Sequence, residues 1–199
     1  MNLLKHLQIF TIFLPFVISL SMPSKFKSQI EYLNNLEKIS SLPKGFSIGT
    51  TRFSFKPFEV DKNFFMNLTV IKLDKPTESF SAMFTKNEFP GAPVIVGKDR
   101  MKNSKLLQAV VINNKISNVC PGGVKDSGVG DAEEICQKVS DTLKLPSKSL
   151  IFPSSTGVIG WRLPVEAIKS AIVNQLFISL NKPRKYLILY FIFAPHPVI

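Results

Sequence analysis

The chain has 199 residues, 45% of them apolar, with a net charge of +11 and a pI near 9.7. That composition excludes a disordered chain and supplies enough apolar surface for one domain with a core, with room for a smaller appendage. The lysines are scattered and interleaved with acids, and the two cysteines (Cys120, Cys136) and two histidines (His6, His196) have no metal-ligand spacing; both facts argue against nucleic-acid binding and against a zinc site.

In chain order, Lys5 and His6 precede an apolar run from Ile9 to Leu20. The run is shorter than the roughly 20 residues a membrane span needs, and fits the apolar region of a secretory signal. Ser19-Leu20-Ser21 offers a small-x-small cleavage site, and the acid-free, basic "MPSKFKSQ" that follows makes the whole resemble a two-part organelle leader. An uncleaved anchor, or a true start at Met22, are the alternatives. Residues 1–28 are therefore set apart as a targeting segment. "IEYLNNLEKI" spaces Ile30, Leu33, Leu36 and Ile39 as a short amphipathic helix, which "LPKGF" ends.

The body, residues 29–172, begins with strand-like stretches. "FSIGTTRFSF", "MNLTVIKL" (66–73), "SFSAMFTKN" (79–87), "GAPVIVGK" (91–98) and "LLQAVVINN" (106–114) all read as strands, with "DKPTE" as a turn. "DAEEICQKVSDTLKL" is the clearest helix, with Asp131 as N-cap and Ile135, Val139 and Leu143 on one face. "SLIFPSS" is a strand, and "PVEAIKSAIVNQL" a helix opening at Pro164. Strands first, then strand–helix–strand–helix, predict an α/β fold: layered, with a mixed sheet.

Two loops carry chemistry. "FPSSTGVIGW" sets small hydroxyl residues against Gly157 between a strand and a helix, offering main-chain N–H groups beside a hydroxyl. An anion or oxyanion site needs those groups, and a tight turn also uses them. Neither a P-loop nor G-x-S-x-G is present. "NNKISNVCPGGVKDSGVGDAEE" (113–134) is either a flexible connection or a polar pocket wall, placed near 154–157 if both strands are parallel. Cys120 has no mid-chain histidine to activate it as a nucleophile.

"LPKGF", "MFTKNEFPGAPV", "VVINNKISNVC…GVGDAEE" and "SSTGVIGWRLPVEAI" occur in this order. Together they resemble the glutamate N-acetyltransferase/ornithine acetyltransferase family of arginine biosynthesis, over about Leu42 to Ile168. The asparagine loop follows a divergent branch: it reads "INNKISNVC", where the commoner form is Asn-Ser-Gly-Asn-Ala-Asn-Ala. The resemblance implies the layered α/β fold of the family's alpha chain. It also implies acetyl transfer from N-acetylornithine, or from acetyl-CoA in some members, to glutamate, with no other cofactor. Thr156 and Gly157 would form the oxyanion hole. The family's nucleophile is a threonine freed by self-cleavage at an Ala-Thr step, its own amine serving as base; a separate beta chain and a homo-oligomer are implied with it. No threonine here follows an alanine, and Thr156 is the last threonine. Past Ile172 the family pattern gives way to an apolar, basic, acid-free tail, 173–199. These features lead to three expectations. One is a truncated chain, inactive alone. Another is an assembly completed by a second polypeptide. The third is a non-catalytic binding or membrane-associated protein that retains the fold. Membrane contact is expected only through the leader or the tail, and location in a plastid or mitochondrion, with secretory entry as the other route.

Overall fold

The computed structural model describes residues 25–28, 30–32, 34–35, 42–123 and 128–176. Residues 1–24 of the leader and 177–199 of the tail lie outside the described residues. The chain divides into two compact units, Met1–Ser41 and Leu42–Ile199. In the first, residues 30–32 and 34–35 are helical, where the periodicity predicts a helix; 36–39 lie outside the described residues. A capping arrangement opens it. Ser28 Oγ accepts from Glu31 N–H (3.1 Å), and the Glu31 carboxylate reaches back to Lys27 N–H (2.8 Å).

The second unit holds one four-stranded mixed sheet in the order β1-β2-β3-β4: β1 Phe46–Phe55, β2 Phe64–Thr77, β3 Leu107–Asn113 and β4 Ile151–Ser155. β1, β2 and β3 are antiparallel neighbours, and β4 lies parallel to β3. Three helices complete it: α1 Ala92–Asn103, α2 Val129–Leu143 and α3 Val165–Ala171, the last running into a π-helical turn, Ile172–Leu176. The mixed α/β architecture predicted from the order of elements is the one observed.

The strands alternate because one face of the sheet meets helices. Met66, Leu68 and Val70 from β2, Ala109 and Val111 from β3, and Ile151 from β4 are buried against Ile135 and Val139 of α2 and Ile168 of α3. Each of these side chains larger than alanine contributes roughly 1.5–3 kcal/mol by leaving water. Lys169 ties the two helices on the outside, bonding Glu134 at 2.5 Å and Glu166 at 2.9 Å; the bond to Glu134, then that to Glu166, hold its ammonium above the ordinary lysine range.

Several local expectations fail, each for a physical reason. "GAPVIVGK" is not a strand; it forms most of α1. Ala92, Val96, Gly97 and Arg100 are its buried positions, a helical stripe of small and charged residues that hydropathy does not register, while Ile95 is 36% exposed. Gly97 is small because the Phe84 ring lies on it. "DKPTE" is not a turn: β2 continues to Thr77, with a register shift between Lys72 and Thr77 that accommodates Pro76. "SFSAMFTKN" is not a strand. Its main chain is turned locally by Thr77, Thr85 and Asn87, whose side chains accept from Ser79, Asn87 and Phe89 N–H. Such bonds compete with a sheet ladder. Its aromatics dock instead, Phe80 edge-on to Phe152 at 5.5 Å and Phe84 over Gly97. Finally, Asp131 is not the N-cap of α2; Gly128 is, with φ 80°. Asp131 sits in the first turn, buried, paired with Arg162 at 3.4 Å. Likewise Pro164 is the N-cap of α3, whose first residue is Val165, one place later than predicted.

Candidate functional site

Because β3 and β4 are parallel, the loops that leave their C-terminal ends emerge together. This is the proximity the sequence predicts for 113–134 and 154–157. The loops then pair like a continued ladder. Thr156 N–H donates to the Asn113 carbonyl (3.1 Å) and Val158 N–H to that of Lys115 (2.9 Å). Ser117 N–H donates to the Val158 carbonyl (2.9 Å), and Gly160 N–H to that of Val119 (3.0 Å).

Asn113 is the clamp between them. Buried to 5% exposure, its Oδ1 accepts from Lys115 N–H (3.2 Å) and Ile116 N–H (3.0 Å), and its Nδ2 donates to Ser155 Oγ (2.7 Å). The two main-chain donors on one side decide which end of the amide is oxygen. Ser155 and Asn113 also border a cavity of about 20 Å³, space for a single water.

Gly157 interrupts this ladder. At φ +130° its backbone passes so close to the Lys115 carbonyl that any Cβ would overlap it. Its N–H has no hydrogen-bond partner among the described residues, nor does the Thr156 hydroxyl, and both residues are exposed. The Thr156 N–H, by contrast, is committed to Asn113. The structure therefore sets Thr156 and Gly157 side by side, with the threonine offering its hydroxyl and the glycine its amide.

Sequence reasoning missed three contributors. Asn113 has no motif of its own in one sequence, and its role comes from the parallel pairing. Arg162 joins three elements: its N–H donates to Glu59 in the β1–β2 hairpin (2.7 Å), its Nε meets Asp131, and its guanidinium lies 5.7 Å from the Phe58 ring. Phe58, Asp131 and Arg162 line a cleft of about 290 Å³. Lys115 sets its ammonium 4.9 Å from the Phe64 ring centroid, and that ring stands edge-on to Trp161 at 5.2 Å.

The cysteines are both free, and they differ. Cys120 is exposed, with φ 48°. Cys136 is buried beneath Arg100 and the Ile151 carbonyl, each 3.8 Å from Sγ. Burial pushes its thiol up from 9.0 to about 11, against the opposing pull of the Arg100 charge. The core rejects the thiolate, so the folded pKa exceeds the unfolded one. The associated stability is complete below pH 9 and is lost as pH rises toward 11. Urea midpoints measured across pH 8–11 are expected to fall, and to fall less in Cys136→Ala. In the native protein at pH 7.5, a thiol reagent is expected to modify Cys120 quickly and Cys136 only on unfolding. Rapid labelling of both would refute this assignment.

A parallel β–α–β unit whose hydroxyl–glycine loop presents donors without a partner among the described residues defines an α/β protein. The sequence pattern of the ArgJ family matches residues 53–185, and the chain belongs to that family. It is 36% identical over 141 residues to arginine biosynthesis bifunctional protein ArgJ 2 of Clostridium acetobutylicum, covering 71% of this chain and 33% of that one. It is 34% identical over 145 residues to ArgJ of Caldanaerobacter subterraneus subsp. tengcongensis, covering 73% and 33%. The chain thus spans about a third of the length of these curated relatives. Among solved structures, it is similar to the ArgJ protein of Bacillus halodurans (TM-score 0.52, 27% identity, 69% of this chain and 68% of that one). It also shares the fold of the ornithine acetyltransferase of Mycobacterium tuberculosis, solved with ornithine (TM-score 0.54, 20% identity, 67% of each chain).

Proposed function

We propose that this chain supplies the oxyanion-stabilising half of an acetyl-transfer site in arginine biosynthesis, acting between N-acetylornithine, or acetyl-CoA, and glutamate. One observation carries the reading: the Thr156 hydroxyl and Gly157 N–H are adjacent open donors in a loop pair whose other main-chain groups are largely engaged. Attack on an acetyl carbonyl puts negative charge on its oxygen, and two fixed donors lower that barrier without reorganising. The nucleophile is proposed to come from a complementary polypeptide, as a threonine whose own amine takes the hydroxyl proton and returns it to the leaving ornithine amine (or CoA thiolate); the glutamate amine then takes the acetyl group from the threonine ester and the threonine hydroxyl is restored. No Ala-Thr step occurs in these 199 residues, so the chain alone is proposed to be inactive. An organelle setting with homo-oligomeric assembly completes the proposal.

The test is complementation. The chain is co-expressed with the C-terminal two thirds of a family relative, and acetyl transfer from N-acetylornithine to glutamate is followed. Activity is expected only in the pair, and Thr156→Ala should lower kcat about 10²–10³-fold with KM little changed. Transfer by the chain alone, or a native kcat in Thr156→Ala, would contradict the proposal.

A further inference from the structure

We infer that Lys115 and Lys62 form a carboxylate-recognition point beside the Thr156–Gly157 donors, one that selects amino-acid substrates by their charged carboxylate. The inference rests on the acyl-transfer reading of that loop and adds what the loop distinguishes.

Three segments converge there: the β1–β2 hairpin (56–63), the loop after β3 and the loop after β4. Both lysines reach one aromatic ring. The Lys115 ammonium is 4.9 Å and the Lys62 ammonium 5.7 Å from the Phe64 centroid. A ring face attracts one cation only weakly at an exposed site and does nothing to neutralise two. Neither ammonium lies within ion-pair distance of a carboxylate among the described residues. The hairpin's two acids are already committed, Glu59 to Arg162 N–H and Asp61 to Lys56. The stretches 113–123 and 156–162 contain no acid in their described residues. The cluster is thus short of negative charge.

Its position links it to the donors. The Lys115 carbonyl lies directly against Gly157 and accepts from Val158, so the lysine backbone is part of the floor of the loop. Its side chain runs to Phe64, and Phe64 packs on Trp161, the residue that follows Gly160. An N-acylated amino acid carries its carboxylate two bonds from the amide nitrogen. With the acyl oxygen near Gly157, the flanking cations are the groups available to that carboxylate.

The test uses the full 199-residue chain, ¹⁵N-labelled, with two probes of equal shape: N-acetylglycine and neutral N-acetylglycinamide. The Gly157 amide reports the loop, and the Trp161 indole N–H reports the cation–aromatic wall. The acid is expected to bind about tenfold more tightly than the amide, with the preference shrinking as salt is raised. Lys115→Gln, and to a lesser degree Lys62→Gln, should abolish the preference; Lys115→Arg should keep it. Equal binding of acid and amide, or a preference unchanged in Lys115→Gln, overturns the carboxylate point while Gly157 still responds. A Gly157 amide unmoved by either probe overturns the reading of the loop, and the carboxylate point with it.

Discussion

Gly157→Ala is expected to lower the stability of the chain by about 2–4 kcal/mol, the cost of a strained backbone plus a displaced carbonyl. Two effects combine at this residue. At φ +130° an L-residue is strained wherever it sits, and here the added methyl also overlaps the Lys115 carbonyl. That carbonyl cannot yield alone, because it accepts from Val158 N–H within the paired loops. Gly160 provides the internal control. It too has positive φ, 86°, but a Cβ there meets nothing within 4 Å. Gly160→Ala should therefore cost only the backbone term, roughly 1–2 kcal/mol. Urea denaturation of the two variants separates strain from overlap. Equal midpoints would mean that the close approach at Gly157 contributes nothing. Because the open amide belongs to Gly157 itself, a shifted loop should also move the donor from its place beside the Thr156 hydroxyl.

The sequence marked the two loops by their residue types more readily than it showed the main-chain path between them. "SSTGVIGW" stands out because hydroxyl residues run into glycine between a strand and a helix, a pattern that an anion site and a tight turn both use. The β3–α2–β4 unit was legible because apolar residues gather in short runs of the buried-strand type, and Ile135, Val139 and Leu143 repeat at helical spacing. α1 was not, because its buried stripe is Ala92, Val96, Gly97 and Arg100. Burying an arginine requires a partner, and Glu133, bonded twice at 3.1 Å, comes from another helix 33 positions away. No local pattern encodes that pairing. The path of 79–87 was lost for the same reason: Phe80 and Phe84 look like strand residues until Phe152 and Gly97 are brought to them. Of the site, Thr156 and Gly157 were visible as residue types. Which of their groups remain open followed only from the parallel register, since Thr156 N–H is taken by Asn113.

Asn113 should prove the most sensitive polar residue of the chain. Asn113→Leu keeps the volume and removes both ends of the clamp. Lys115 and Ile116 N–H then lose their acceptor, and Ile116 is fully buried, so water does not replace it. An unsatisfied buried donor costs about 1–3 kcal/mol, and the loss of the Ser155 bond adds to it. A total near 3–4 kcal/mol is expected in urea denaturation. Asn113→Asp distinguishes the clamp from simple filling of space. Its carboxylate still accepts from both N–H groups, and the Ser155 hydroxyl can turn to donate to the second oxygen. The remaining cost is that of a largely buried charge, offset by charge-assisted bonds, so Asp should be milder than Leu by at least about 1 kcal/mol. The Gly157 amide resonance should follow the same order, displaced in Leu and nearly native in Asp. If Leu were tolerated as well as Asp, the loops would be held by main-chain pairing alone. The site would then owe its geometry to the parallel strands rather than to the asparagine between them.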